Sequence, residues 1–321
     1  MSAFIKLSLI SSLLLCLTVL LPPLAFIIAI GWGALLIRGS LTLSQRQIGL
    51  IYLLNFSLLY GLAGASTLLF YAAFFGLPAL LMSLLISHNQ GYYSIQKWGV
   101  AAAVLGVSLF LGLLYWNSGQ IAMEQMESQI NNYVQESLKA YEDSGFIGFY
   151  ESRGLSRAEL EKSFKVMTRS IVCHLPALYY VQAIMEVFFM LLLASFLSRK
   201  SPDERLKRKA YTEEMMPWPL VWVLIVGLAL WLWGRDEMGS LYYVGSNIMV
   251  VMTPIAVYYG LAVLLFEFKR LLPSKRKLFA TLLIILSLFF PLSAIIFLSL
   301  MGLFDSLLNF RKIALEREVE K

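Results

Sequence analysis

Charged residues are scarce in this chain. Of its 321 residues only 14% are charged and 59% are hydrophobic, whereas soluble domains are about 25% charged and about 45 to 50% apolar. The charges also cluster in short segments between long apolar runs. Because a soluble domain must cover its surface with polar groups, this pattern excludes that class and indicates an integral membrane protein.

Cysteine and histidine are almost absent, at two residues each. Cys16 and Cys173 lie in apolar surroundings with no partner at metal-ligand spacing, so neither a disulfide framework nor a metal site is predicted. A P-loop, a dinucleotide fingerprint, a zinc-protease motif and a nucleophile elbow are all missing. We therefore expect no catalytic centre and no cofactor, and we interpret the protein as a non-enzyme.

The apolar runs predict an all-α fold, a polytopic transmembrane helical bundle. About nine spans are expected and eight to ten are compatible with the pattern. The second run is short and begins after Pro22 and Pro23, so it is compatible with a tilted or partly re-entrant segment as well as with a full crossing. Residues 278–310 are too long for one crossing, which leaves open an interfacial helix after the ninth span or a tenth span. The predicted spans are 4–21, 23–37, 47–62, 64–86, 98–116, 171–198, 217–234, 243–267 and 278–300.

Basic residues predict the orientation of the spans. Six Lys or Arg residues lie within 199–209 and five within 269–277, so both segments are expected in the cytoplasm. Counting spans back from them places the N-terminus in the cytoplasm as well. The net charge of +6 then reflects loops that meet the lipid bilayer, and nucleic acid is not an expected partner.

The division into domains follows the one long polar segment. We predict an N-terminal bundle at 1–116, an extracytoplasmic helical hairpin at 117–170, a C-terminal bundle at 171–304 and a charged tail at 305–321. Ser156 and Glu159 form a capping box at the start of the second hairpin helix. The apolar stripe of the hairpin is expected to pack on its own partner helix, with binding of another protein as the alternative.

Two acidic residues within apolar runs are candidates for a ligand site. A charge at mid-bilayer costs about 2.5 to 3.5 kcal/mol and needs a partner or a cavity, which singles out Glu186 and Asp305. Glu186 could face an internal cavity and bind a cationic or polar ligand or pass protons, or it could be paired or protonated internally. Asp305 lies near a helix end, so it could act in the same way or lie at the membrane interface. The uncharged polar residues Asn55, Gln182 and Asn247 could line the same pocket or join helices by hydrogen bonds.

Small residues recur at spacings of three and four in the third and fourth predicted spans. Gly61, Gly64, Ala65 and Gly76 would allow close approach of helix backbones, either within the bundle or against a second membrane subunit.

Three stretches of the C-terminal half carry a family resemblance. The sequences Met216-Pro217-Trp218-Pro219, Gly245-Ser246-Asn247-Ile248 and Gly302-Leu303-Phe304-Asp305 resemble the YybS-like family of uncharacterised bacterial membrane proteins. That family is similar, distantly, to the S components of energy-coupling-factor transporters. The resemblance implies a membrane pocket for a small solute and a coupling partner subunit.

Three functions follow as expectations. The first is a non-catalytic subunit that binds a small molecule or assists its transport. The second is a structural or regulatory subunit that uses the hairpin and the basic loop at 205–209 as contact surfaces. The third, which the missing motifs disfavour, is an intramembrane enzyme that uses Glu186 or Asp305.

Overall fold

The computed structural model describes residues 3–118, 128, 132, 134–137, 139–145, 148–149, 152–154, 156–199, 203–236 and 239–311. All regular structure in these ranges is helical, and seven of the helices there are long and apolar enough to cross a membrane. This confirms the predicted all-α, multi-span class. The chain divides into two compact units, Met1–Leu206 and Lys207–Lys321, which we call unit 1 and unit 2.

Unit 1 is a bundle of apolar helices. The helix Leu175–Leu197 belongs to it, since it packs against Ala25–Gly39 and Tyr92–Ser118. The sequence predicts this helix in the C-terminal bundle instead. Pro22 and Pro23 separate the first two helices, and the side chains of Ser44 and Gln47 form a capping box at the start of the third. The helices are α1 (Ala3–Leu20), α2 (Ala25–Gly39), α3 (Gln45–Tyr71), a π-helical turn (Ala72–Gly76), α4 (Leu77–Ser87), α5 (Tyr92–Ser118), α6 (Arg157–Cys173) and α7 (Leu175–Leu197).

The longest apolar segment, Gln45–Ser87, doubles back on itself at Gly64. This residue has φ 77° and ψ −178°, a conformation outside the helical region. Gly76 lies directly against the ring of Phe56, although twenty residues of straight helix would separate the two by about 30 Å. The two spans predicted at 47–62 and 64–86 therefore correspond to two antiparallel arms joined at one glycine.

Several loops of unit 1 meet at one end of the bundle. The side chain of Leu7 packs against Gly39, and the Gln45 amide lies 3.2 Å from the His88 ring nitrogen. The Arg205 guanidinium donates to the backbone oxygen of Ile86 at 3.1 Å. The start of α1, the turn after α2, the turn after α4 and the segment after α7 thus share one end, which also carries the basic residues of these loops.

Part of the predicted external hairpin is described. The capping box is confirmed, since the Glu159 backbone N–H donates to Ser156 Oγ at 3.3 Å and the Ser156 N–H donates to the Glu159 carboxylate at 2.9 Å. Val134 packs against Leu160 and Phe164 of α6. Much of 117–155 lies outside the described residues, and the hairpin as a whole stays a prediction.

Unit 2 contains α8 (Trp218–Trp233), α9 (Ser240–Arg270), α10 (Pro273–Phe289) and α11 (Pro291–Leu308). The prediction of one continuous span at 278–300 is wrong. The backbone leaves the helical region at Phe290 (φ −131°, ψ 62°), because Pro291 has no N–H to continue the hydrogen-bond ladder. Two helices replace the span, and α11 is the one long enough to cross a membrane.

Glycines bring the helices of unit 2 into backbone contact. Gly302 of α11 lies against the Ala256 oxygen and the Gly260 nitrogen of α9. Gly245 of α9 lies in the same way against the Trp231 nitrogen of α8. Without a hydrophobic driving force between helices in lipid, such close packing of backbones is a main source of helix association.

We predict that Gly64→Ala destabilises the protein. The substitution forces a Cβ into a conformation that only glycine tolerates, at a cost of about 1 to 3 kcal/mol. Thermal unfolding of the detergent-solubilised chain, followed by tryptophan fluorescence, measures the loss. The matched control is Gly61→Ala, which lies in the helix with open space around it and is expected to be neutral or slightly stabilising. Equal melting temperatures for the two variants would contradict the turn.

We also predict that Gly302→Ala weakens unit 2. The added methyl group meets the backbone of α9 and cannot be relieved by a side-chain rotation, so a loss of about 1 to 3 kcal/mol is expected. The same unfolding assay checks it, and Gly112→Ala, where no atom lies within 4 Å of the added carbon, serves as the control.

Candidate functional site

Glu186 lies at the midpoint of α7, a helix of 23 residues, about 17 Å from either end. Its side chain is fully buried. One carboxylate oxygen, Oε1, accepts a hydrogen bond of 2.8 Å from Gln182 one turn earlier. The other, Oε2, has no hydrogen-bond partner within the part of the chain that the structure describes.

Glycines and small contacts hold α7 in the centre of unit 1. Gly33 of α2 lies directly against the side chain of Met190, one turn after Glu186. Gly99 of α5 lies against Val187 and Met82. A Cβ at either glycine would meet these side chains unless the flexible methionines moved aside. The two glycines therefore allow α2 and α5 to pack closely on α7 beside Glu186.

Aromatic side chains with polar groups accompany Glu186. The Tyr71 hydroxyl interacts electrostatically with Glu186 and with Tyr52. The Trp32 ring contacts both tyrosines edge-on, with centroid distances of 5.2 Å to Tyr71 and 5.5 Å to Tyr52, and the Ser83 hydroxyl lies beside Tyr52. We define the Glu186 cluster as Trp32, Tyr52, Tyr71, Ser83, Gln182 and Glu186.

The polar atoms of this cluster have unmet hydrogen-bonding capacity. Trp32 Nε1 and the Tyr71 hydroxyl are buried without a hydrogen-bond partner among the described residues, like Glu186 Oε2. The Tyr52 and Ser83 hydroxyls form no well-aligned hydrogen bond either, but they interact with each other. Each such group costs about 1 to 3 kcal/mol if nothing satisfies it. Buried polar groups in native proteins are normally paired, so this concentration of unsatisfied groups makes the cluster the candidate site of unit 1.

The π-helical turn Ala72–Gly76 follows Tyr71 immediately. Its hydrogen bond runs from the Leu77 N–H to the Ala72 oxygen, five residues back instead of four. Pro78 comes next and has no N–H to donate. Such π-turns occur frequently at functional sites. This one contains one extra residue, so Tyr71 is shifted by one position relative to the regular helical spacing of α4.

The remaining predicted ligand residues do not all join this cluster. Gln182 belongs to it, as described. Asn55 joins α1 to α3, since its amide nitrogen donates to Ser11 Oγ and to the Ile51 oxygen, both at 2.9 Å. Asn247 and Asp305 lie in unit 2, and the Asn247 amide donates to the Tyr243 oxygen at 2.8 Å.

Asp305 is buried but ion-paired. Arg311 contacts its Oδ2 through two nitrogens, at 2.6 Å and 3.0 Å. The same guanidinium donates to the backbone oxygens of Thr212 at 2.6 Å and Glu214 at 2.7 Å. Asp305 therefore anchors the segment before α8 to the end of α11, and the internal partner that the sequence left open is Arg311.

The predicted small-residue positions have two different surroundings. Gly76 packs on Phe56 inside unit 1. Gly61, Gly64 and Ala65 are exposed around the turn at the tip of the two arms, so they contribute no helix contact there, and their role in subunit docking stays a prediction.

Sequence reasoning missed most of the Glu186 cluster. Trp32, Tyr52, Tyr71 and Ser83 come from three separate helices, and nothing in their local sequence distinguishes them from packing residues. One weak signal exists: Tyr52 lies three residues before Asn55, which places both polar groups on one helical face.

The described residues contain no group of three His, Cys, Asp or Glu side chains that could hold a metal ion. We therefore assign no metal to the cluster from its ligands.

Comparison with known proteins identifies the family and little else. No curated protein matches the chain, and no solved structure matches it. A family model described as "Predicted membrane protein (DUF2232)" matches residues 9–306, which include every helix described above in whole or in large part. The chain is an integral membrane protein and belongs to this family.

Proposed function

We propose that this protein is a non-catalytic membrane subunit that binds a small cationic or polar solute at the Glu186 cluster. The observation that carries the proposal is the buried Glu186 Oε2, which lies at mid-helix without a hydrogen-bond partner among the described residues. The Trp32 indole and the Tyr71 hydroxyl lack a partner in the same sense. Together they supply an acceptor, several donors and aromatic faces.

The charge of the cluster argues for the class of solute. No Lys or Arg belongs to the cluster, so an ionised Glu186 would be an uncompensated charge in the membrane interior. A solute with an ammonium group would compensate it, and the rings of Trp32, Tyr52 and Tyr71 attract cations through their faces. Hydroxyl or amide groups on the solute would satisfy the remaining donors and acceptors.

The resemblance to the YybS-like family supports a role in transport. S components of energy-coupling-factor transporters, to which that family is distantly similar, bind a solute within the membrane and dock on a coupling subunit. A binding site made of α2, α3, α4 and α7 is compatible with this division of labour. The structural-subunit alternative predicts instead that Glu186 is dispensable.

We propose the bacterial inner membrane as the location, with the N-terminus in the cytoplasm. Lys6, Arg38, Arg46 and Arg205 belong to the segments that meet at one end of unit 1. Such basic loops stay on the cytoplasmic side. The opposite end, around Gly64, would then face outward.

We predict that Glu186→Gln lowers the amount of solute that co-purifies with the protein by at least about tenfold. A loss of this size is expected because the substitution removes one charge-assisted hydrogen bond of about 1.5 kcal/mol or more. Small molecules extracted from the purified chain are identified and quantified by mass spectrometry. Tyr71→Phe, which removes only a hydroxyl, is expected to reduce the amount by less. Glu267→Gln is the control, because this glutamate is exposed and paired with Arg270.

Thermal stability separates this role from a structural one. Removing an uncompensated charge should leave the solute-free protein equally or more stable. If Glu186→Gln instead unfolds at a clearly lower temperature, or retains the same extracted molecules as the wild type, the binding role is wrong.

A cysteine-labelling experiment tests the orientation. Cys16 and Cys173 are first replaced by Ser, and single cysteines are then introduced as Arg46→Cys and Glu142→Cys. The cells are kept intact, except that an outer membrane, where one exists, is made permeable. A membrane-impermeant maleimide is then expected to label the cysteine at position 142 and not the one at position 46. Position 46 should react only after the inner membrane is opened. The reverse pattern would invert the topology.

A further inference from the structure

A cleft of about 510 Å³ opens at the basic end of unit 1. It is separate from the Glu186 cluster and shares no residue with it. Its walls include Lys6 of α1, Arg38 at the end of α2, Thr42 in the following turn, and Asp203 after α7. The volume lies within the range of about 300 to 1,000 Å³ that is typical of ligand pockets.

The charges of the cleft do not balance. Asp203 is bound by Arg205, with nitrogen–oxygen distances of 2.7 Å and 2.8 Å, and this guanidinium holds the pKa of the Asp203 carboxyl below its usual range. Lys6 and Arg38 make no ion pair within the described part of the chain. Because the acid is already neutralised, the cleft offers two uncompensated cations.

The rest of the wall is apolar and continues onto the membrane-facing surface. Leu7, Leu35 and Leu41 line the cleft, and Ile10 both lines it and is 48% exposed on the outer side of α1. Leu9 and Leu13 continue this apolar face at 59% and 60% exposure. A molecule in the cleft would thus meet positive charge at one side and the acyl chains of the bilayer at the other.

We propose that this cleft binds the anionic headgroup of a phospholipid, with Lys6 and Arg38 contacting the phosphate. An arginine guanidinium and a lysine ammonium are the usual phosphate-binding groups. Basic pockets between membrane helices at the cytoplasmic side bind acidic lipid headgroups. The apolar wall beside Ile10 accommodates the start of the acyl chains, which a soluble phosphate compound would not need.

The test measures lipid retained by the full chain. The protein is equilibrated with vesicles of equal parts phosphatidylglycerol and phosphatidylcholine, purified again, and the bound lipids are counted by native mass spectrometry. Wild type is expected to retain phosphatidylglycerol preferentially. The double variant Lys6→Gln/Arg38→Gln should lose about thirtyfold in this preference, and each single variant about fivefold. The control is Arg46→Gln, which removes a cation at the same end but outside the cleft and should change little.

The remaining outcomes overturn the assignment. Equal retention of the two lipids, or an equal loss in Arg46→Gln, would mean that the cleft has no specific role. A second arm adds inorganic phosphate to the delipidated protein. Three results together would show that the site takes a soluble phosphate and that the lipid assignment is wrong. Phosphate alone would raise the melting temperature of the wild type, the double variant would lose that shift, and the wild type would show no lipid preference. The melting temperature of the double variant without ligand verifies that it folds.

Discussion

A carboxylate at the centre of a membrane helix must be compensated, and this requirement constrains the structure of unit 1. Glu186 lies as far from water as a residue of α7 can, and burial of an ionised group there is costly. A structural solution would be an arginine, as Arg311 provides for Asp305 in unit 2. In unit 1 the described neighbours of the carboxylate include indole and phenol groups instead, whose rings attract cations without neutralising the charge.

Glu186 and Asp305 show that the surroundings of a buried acid depend on the packing of the helices and cannot be inferred from the sequence alone. Asp305 has two guanidinium contacts and ties the end of α11 to the segment before α8. Glu186 has one hydrogen bond, from Gln182 in its own helix. In sequence both are single acids in apolar runs. Their surroundings differ, because a guanidinium neutralises Asp305 and no cation contacts Glu186 among the described residues.

Much of the fold could be predicted from the sequence because lipid imposes simple requirements. Every backbone polar group of a helix in a bilayer must be satisfied within that helix, so long apolar runs predict helices. The span predicted at 278–300 nevertheless ran across Pro291, where the structure begins a new helix. The capping box at Ser156 follows from two side chains three residues apart. These are local properties, and local sequence determines them.

The site could be predicted only in part, because it depends on contacts between distant segments. Glu186 and Gln182 were identified by their polarity. Trp32 and Tyr71 were not, since an aromatic residue in an apolar run is ordinarily a packing residue, and only the fold places them together. Asn55 was grouped with Glu186 by its polarity, yet its amide bonds to α1. The glycines that bring helices together also depend on the fold. Gly302 packs on α9 but was not predicted as a packing position, whereas Gly61 was predicted as one and is exposed.

The single-residue turn at Gly64 also bears on how this chain enters the membrane. Residues 61–65 contain no charged or hydrogen-bonding side chain, so moving the turn through the hydrocarbon core costs little beyond its own backbone. The two arms have no hydrophilic loop between them that would have to be translocated. They can therefore be inserted together as one preformed helical pair, whereas a long polar segment separates α5 from α7 in the sequence.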